Sequence, residues 1–168
     1  GGLQSKEAHA ATIRNLASAC LRIEDGMSQA QQPVDGRIYN AWASMQVKAN
    51  QLHDARKILL RGIAMYPNDH SLLQAAGKME ERLGNYTGAR QLYAASLCIQ
   101  PSAPTLVAYA LLDLYHPQAS SAPPPPFSET RRLFEEALLL DKRHGPAYNA
   151  YARAVFERER NETDARII

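Results

Sequence analysis

The dipeptide Ala55-Arg56 returns 34 residues later as Ala89-Arg90, and Pro67 returns at the same interval as Pro101. Between each alanine and its proline, apolar or small residues occupy matching columns: Ile58 with Leu92, Leu59 with Tyr93, Gly62 with Ser96, Ile63 with Leu97. That spacing is one face of an α-helix, closed by a residue that cannot continue it. A chain so patterned has few ways to fold, because one such unit cannot bury its apolar face alone and must stack on its neighbours. A third copy runs from Thr130-Arg131 to Lys142, an earlier one from Ile13-Arg14 to Ile23, and a fifth begins at Ala165-Arg166. One arginine column therefore reads Arg14, Arg56, Arg90, Arg131, Arg166.

Each of these helices after the first is preceded by another. Tyr39-Asn-Ala-Trp42-Ala43 and Tyr148-Asn-Ala-Tyr151-Ala152 are near-identical openings, with Leu73-Gln-Ala-Ala76-Gly77 and Leu106-Val-Ala-Tyr109-Ala110 between them. Three residues after the small residue stand Gln46, Glu80 and Asp113, and the last copy departs with Val155. Asn50-Gln51 and Gly84-Asn85 sit where the turn inside each pair belongs.

The pattern predicts an all-α fold, a solenoid of helical hairpins stacked side by side, as a single array over residues 1–168. Its parts are a lone second helix at 5–24, repeats at 37–67 and 70–101, a repeat at 104–142 and a truncated repeat at 146–168. The unpaired opening helix and the stop inside Ala165-Arg166-Ile-Ile read as a fragment of a longer array. A Pro-rich insertion at 116–127 interrupts the third repeat. Its four prolines, Pro123 to Pro126, exclude helix and favour extended geometry, as an exposed insertion does. Ser128 reads as the N-cap of the helix that follows, with Glu129 in its first turn.

Composition removes several function classes. Hydrophobic residues at 45% suffice for a core, but nineteen Lys plus Arg against seventeen Asp plus Glu leave only +2, too little to name a nucleic-acid partner from bulk charge. No apolar run approaches the roughly 18–20 residues of a membrane span. Cys20 and Cys98 cannot build a disulfide framework and read as small buried hydrophobes. His9, His53, His70, His116 and His144 share no metal-ligand spacing, and no Ser/His/Asp set, Cys/His set or Gly-rich phosphate loop occurs. The expectation is a non-enzyme with no metal, no cofactor and no small-molecule substrate.

A 34-residue helix–turn–helix with an aromatic opening, a small residue, alanine at the second helix and a closing proline resembles the tetratricopeptide superfamily, which implies a right-handed α-α superhelix (solenoid). Glu80 and Asp113, set against Arg56, Arg90 and Arg131, make it most similar to the half-a-TPR (HAT) branch. That resemblance implies RNA metabolism: splicing, 3′-end and ribosomal-RNA processing, and chloroplast transcript maturation. The run from Arg131 to Ala152 is most similar to chloroplast RNA-maturation factors, which implies a chloroplast or nuclear setting and protein partners within an RNA-processing complex.

Beside the resemblance, the residues carry their own expectations. Each arginine is expected to pair with the polar column of its own hairpin: Arg56 with Gln46, Arg90 with Glu80, Arg131 with Asp113. Tyr39, Trp42, Tyr93, Tyr109, Phe134, Tyr148 and Tyr151 fall on core columns. The unpacked face of the first helices then lines a concave groove: Arg37, Asn40, Ser44 and Lys48, then Gln74, Lys78, Glu81 and Arg82, then Asn149, Arg153 and Glu157. Lys and Arg beside Asn and Gln suit phosphate neutralisation next to exposed base edges, so single-stranded RNA is the first expected ligand. The alternative is a protein–protein scaffold that grips a helix or peptide in the same groove or on an apolar patch of Val107, Leu111 and Leu114. A chaperone-tail carboxylate clamp is not expected, since it needs Lys where Asn40 stands and Asn where Ser44 stands.

Overall fold

The computed structural model describes residues 36–117 and 126–165, with side chains as far as Arg158. Seven helices and no strand occur among the described residues: α1 (Arg37–Lys48), α2 (Leu52–Met65), α3 (His70–Arg82), α4 (Tyr86–Ile99), α5 (Ala103–Tyr115), α6 (Phe127–Leu140) and α7 (Gly145–Ala165). They fall into two compact units, α1–α3 up to Asn85 and α4–α7 from Tyr86. The expected helix at 5–24, with Arg14 and Cys20, lies outside the described residues. So do most of the insertion (118–125) and residues 166–168.

The repeat is visible in how its helices end. Asn50 (φ 60) and Gly84 (φ 79), 34 residues apart, both take the left-handed conformation that Gly and Asn tolerate. After α1 the N–H of Asn50 donates to the Val47 carbonyl and that of Gln51 to Gln46, at 3.0 and 2.9 Å. After α3 the N–H of Gly84 donates to Glu81 and that of Asn85 to Glu80, at 3.0 and 2.8 Å. Both are the paired closing bonds of a Schellman stop, which satisfy carbonyls the helix leaves open. Asp69 caps the start of α3, its Oδ1 accepting from Ser71 and Leu72, while its Oδ2 accepts from the Gly36 N–H before α1. One carboxylate thus ties the heads of two helices.

The second helices bury matching columns. Ala55, Ala89 and Thr130 are buried, as are Leu59, Tyr93 and Phe134, and Gly62, Ser96 and Ala137. Steps of four and three residues keep each set on one stripe. Gly62 shows why its column is small: a Cβ there would stand 2.8 Å from the Cβ of Tyr39. Ser128 is not an N-cap. Helix α6 begins at Phe127, two residues earlier than an N-cap at 128 implies, after Pro126 in extended geometry, and Glu129 does occupy its first turn. Cys98 is exposed, because it lies two residues, about 200° of helix, beyond the buried Ser96.

The arginines do not pair within their hairpins. Arg56 of α2 donates to Glu80 of α3 at 2.5 Å, and Arg90 of α4 pairs with Asp113 of α5. Each link therefore joins the second helix of one hairpin to the first helix of the next. Within its own hairpin Arg56 leaves Gln46 untouched, and the Gln46 Oε1 is buried without a partner. The position on α7 that would receive Arg131 is Val155, so Arg131 turns to Glu135 on its own helix, 3.0 Å away. The other oxygen of Glu80 accepts from the Asn85 amide, and Arg90 lies 5.4 Å over the Tyr109 ring.

The two links respond oppositely to protons. Burial pushes the Glu80 carboxyl up, but hydrogen bonds from Arg56 and Asn85 and the Arg56 charge outweigh it, leaving the group below its ordinary value. Burial wins at Asp113, which stays above its ordinary value despite the charge and hydrogen bond of Arg90. A lowered carboxyl contributes stability that is present at higher pH and lost as pH falls through its folded value; a raised one contributes stability that is lost as pH rises. Between about pH 3 and 6, the stability deficit of Glu80→Gln should therefore grow with pH while that of Asp113→Asn shrinks. Urea unfolding midpoints across that range measure both, and parallel trends would contradict the assignment.

The last helix departs from the pattern. Tyr148 is 50% exposed and Ala152 is open, while Ala147 and Ala154 are buried. The buried stripe is turned by about one residue, or 100°. Helix α7 settles against α5 and α6 through Ala147, Ala150, Tyr151 and Ala154, with the Tyr151 ring stacked on Phe134 at 5.4 Å. Among the described residues no further helix pairs with the Tyr148 side, so its rotation follows the contacts it has.

Candidate functional site

Helices α1 and α3 lie against each other over α2 and leave a groove of about 360 Å³ between them. Asn40, Ser44 and Lys48 recur every fourth residue, one face of α1, and all three line it. Lys78 and Arg82 line the opposite wall from α3. Five of the residues expected to share a groove are thus brought together. In the 34-residue register Ser44 matches Lys78 and Lys48 matches Arg82. Lys48 and Arg82 are the last residues of their helices, so the cations gather where α1 and α3 end, and Asn40 stands two turns away.

Sequence reasoning missed the floor. Ala43, Val47, Leu59, Ala75 and Met79 complete the lining. Ala43 and Leu59 stand on repeat columns, and the repeat pattern gives Ala75 and Met79 no place in a groove. The available signal was Val47, an apolar residue next to Lys48 outside the Tyr39–Ala43–Gln46 stripe. Small side chains at 43 and 75 give the groove depth, and Leu59 reaches it from α2 beneath. None of the lining residues is aromatic, and none is acidic. Lys48, Lys78 and Arg82 are exposed, and none is in an ion pair among the described residues.

The other expected site residues are placed elsewhere. Arg37 lines a separate open hollow with Met65 to Ser71, where α2 turns into α3. Gln74 lies one turn before Lys78 but not in the groove lining, and its Nε2 is buried without a partner. Glu81 is half-buried on α3. Asn149 and Arg153 belong to α7 in the second unit; Asn149 is exposed, and Arg153 pairs with Glu157 at 2.8 Å. Glu157 also accepts from the Tyr115 hydroxyl at 2.8 Å. The expected apolar patch is not open: Val107 is 7% exposed within the core, and Leu111 and Leu114 pack half-buried against that core. Helix α7 covers the side of α5 that the pattern left free.

Two solved structures bear on the architecture. A tetratricopeptide repeat protein from Parabacteroides merdae ATCC 43184 superposes with a TM-score of 0.70 at 15% identity, over 99% of this chain and 60% of that one. The fold is tetratricopeptide-like. MamA MSR-1 C2 superposes with a TM-score of 0.57 at 16% identity, over 94% of this chain and 87% of that one. The chain thus spans 60% of the length of the first of these tetratricopeptide-like neighbours. No protein-family model and no curated protein sequence matches it. Among the described residues no three His, Cys, Asp or Glu side chains gather to hold a metal ion, and no helix is long and apolar enough to cross a membrane.

Proposed function

We propose that this chain is a protein-interaction scaffold that holds a segment of a partner protein in the α1–α3 groove. The observation that carries this reading is the lining: an open apolar floor under a polar rim, with no aromatic ring to stack a base. Proteins that hold single strands without sequence preference combine cations with aromatic platforms, each worth about 1–3 kcal/mol per base. Here the aromatic residues of these helices, Tyr39 and Trp42, are buried in the core. An apolar floor framed by polar side chains suits a peptide, whose side chains need dry pockets and whose backbone needs hydrogen bonds.

Single-stranded RNA is the second reading, favoured by the three cations of the rim, none of them in an ion pair among the described residues. It carries with it the half-a-TPR assignment and an RNA-processing role, whose support is the Arg56–Glu80 and Arg90–Asp113 columns.

The test is a photo-crosslink. A benzophenone amino acid replaces Ser44 in the groove, and, for comparison, Lys57 on the exposed side of α2. We expect adducts from position 44 that protease digests and ribonuclease leaves intact, with few from position 57. Ribonuclease-sensitive adducts would establish the RNA reading instead, and equal yields at both positions would remove the groove from consideration.

A further inference from the structure

The groove is one-sided in charge as well as in shape, and this narrows what fits it. Lys48 and Arg82 stand at one end and Lys78 one turn in, at the register position of Ser44, with no carboxylate in the lining and no ion pair to any of the three among the described residues. The far end offers the neutral Asn40, one turn beyond Ser44, and the floor between is Ala43, Val47, Leu59, Ala75 and Met79. From Asn40 to Lys48 is eight residues of helix, about 12 Å at the helical rise, which about four residues of extended chain would span. Three positive groups within a turn or so repel one another, and an apolar floor left wet is unfavourable; both terms are relieved by one kind of occupant.

Resting on the scaffold reading above, we infer that the groove takes a short extended internal segment bearing an aliphatic anchor and two nearby acidic side chains. The anchor is Leu, Ile or Met, seated on the Val47–Leu59–Met79 floor. The Asp or Glu carboxylates meet Lys48, Lys78 and Arg82, and the backbone at the far end meets Asn40 and Ser44, amide and hydroxyl groups that each donate and accept. Arg82 can hold a carboxylate through two parallel N–H groups, whereas the two lysines act as point charges. In this assignment both charges that meet the cations are carried by side chains, so the segment is internal and peptides capped at both ends should bind.

A positional library of N-acetylated, C-amidated hexapeptides, read by fluorescence anisotropy on the whole chain, tests this. We expect selection of Asp or Glu at two neighbouring positions and of Leu, Ile or Met at a third. For the best peptide, Lys78→Glu with Arg82→Glu should weaken binding tenfold or more, and Ser44→Trp, which fills the groove from an exposed position, should do the same. Circular dichroism of both variants confirms that they fold. Peptides that are blocked by Ser44→Trp but show no acidic preference would overturn the charge assignment and leave the groove reading standing. Peptides indifferent to Ser44→Trp would overturn both. A phosphoserine peptide, or a twelve-nucleotide oligouridine, that outcompetes the best acidic peptide tenfold would overturn the assignment in favour of phosphate.

Discussion

Replacing Asp113 by Ala is expected to destabilise the protein by about 3–5 kcal/mol, the range for breaking a buried ion pair. The Arg90 side chain is only 15% exposed and its partner carboxylate 4%. Without Asp113 the guanidinium keeps its charge in a site with little water, and the Tyr109 ring face 5.4 Å away offers only partial compensation. The loss comes from the stranded cation rather than from the strength of the pair, which makes a second variant decisive. Arg90→Met combined with Asp113→Leu removes both charges and fills their volume, so it should recover most of the stability. Chemical unfolding of both variants measures this. A double variant as unstable as Asp113→Ala would mean that the pair itself holds α4 to α5.

Phe134→Ala should cost a similar amount, about 3–5 kcal/mol, for a different reason. Its ring is fully buried among Leu106, Ala110, Leu133, Ala137 and Ala147, and it stacks on Tyr151. Five of the nine buried residues of that core are alanines, and small side chains on rigid helices cannot move in to close the space. The cavity therefore persists, and its lining loses contacts outright. Phe134→Leu, which keeps much of the volume, should lose markedly less. Amide exchange is expected to rise through α5–α7, the helices that share this core. A loss under about 1 kcal/mol would show that the helices collapse around the vacancy.

Both expectations concern residues already placed on repeat columns by spacing alone. Tyr93 and Phe134 stand in one column with Leu59, and all three are buried. Arginine and acid were likewise visible as columns, but the hairpin that owns each partner was not. Spacing along a chain names the residues on a face; it does not say whether that face meets the preceding helix or the following one. The observed offset, Arg56 to Glu80 and Arg90 to Asp113, is a property of how hairpins stack. The same ambiguity explains Tyr148, whose opening copies that of Tyr39 almost residue for residue. Tyr39 is buried against Gly62 of α2, whereas Tyr148 has no such helix among the described residues.

The groove divides in the same way. Its rim residues Asn40, Ser44, Lys48, Lys78 and Arg82 followed from subtracting the packed stripe from each first helix. Its floor did not, since Leu59 contributes from α2, a second helix, whereas the expected groove drew on first helices alone, and the depth depends on how closely α1 and α3 approach. Val107, Leu111 and Leu114 show the opposite error, an apolar face counted as free that α7 covers.

By itself the sequence determined the helices, their stops at Asn50 and Gly84, and the buried stripe of each second helix, because these depend on backbone preference and a 3.6-residue period acting within a few residues. Which helix each face meets, which arginine reaches which carboxylate, and where a hollow is left between two helices were decided only by the tertiary structure. Those features depend on distances between segments far apart in the chain, and no local period encodes them.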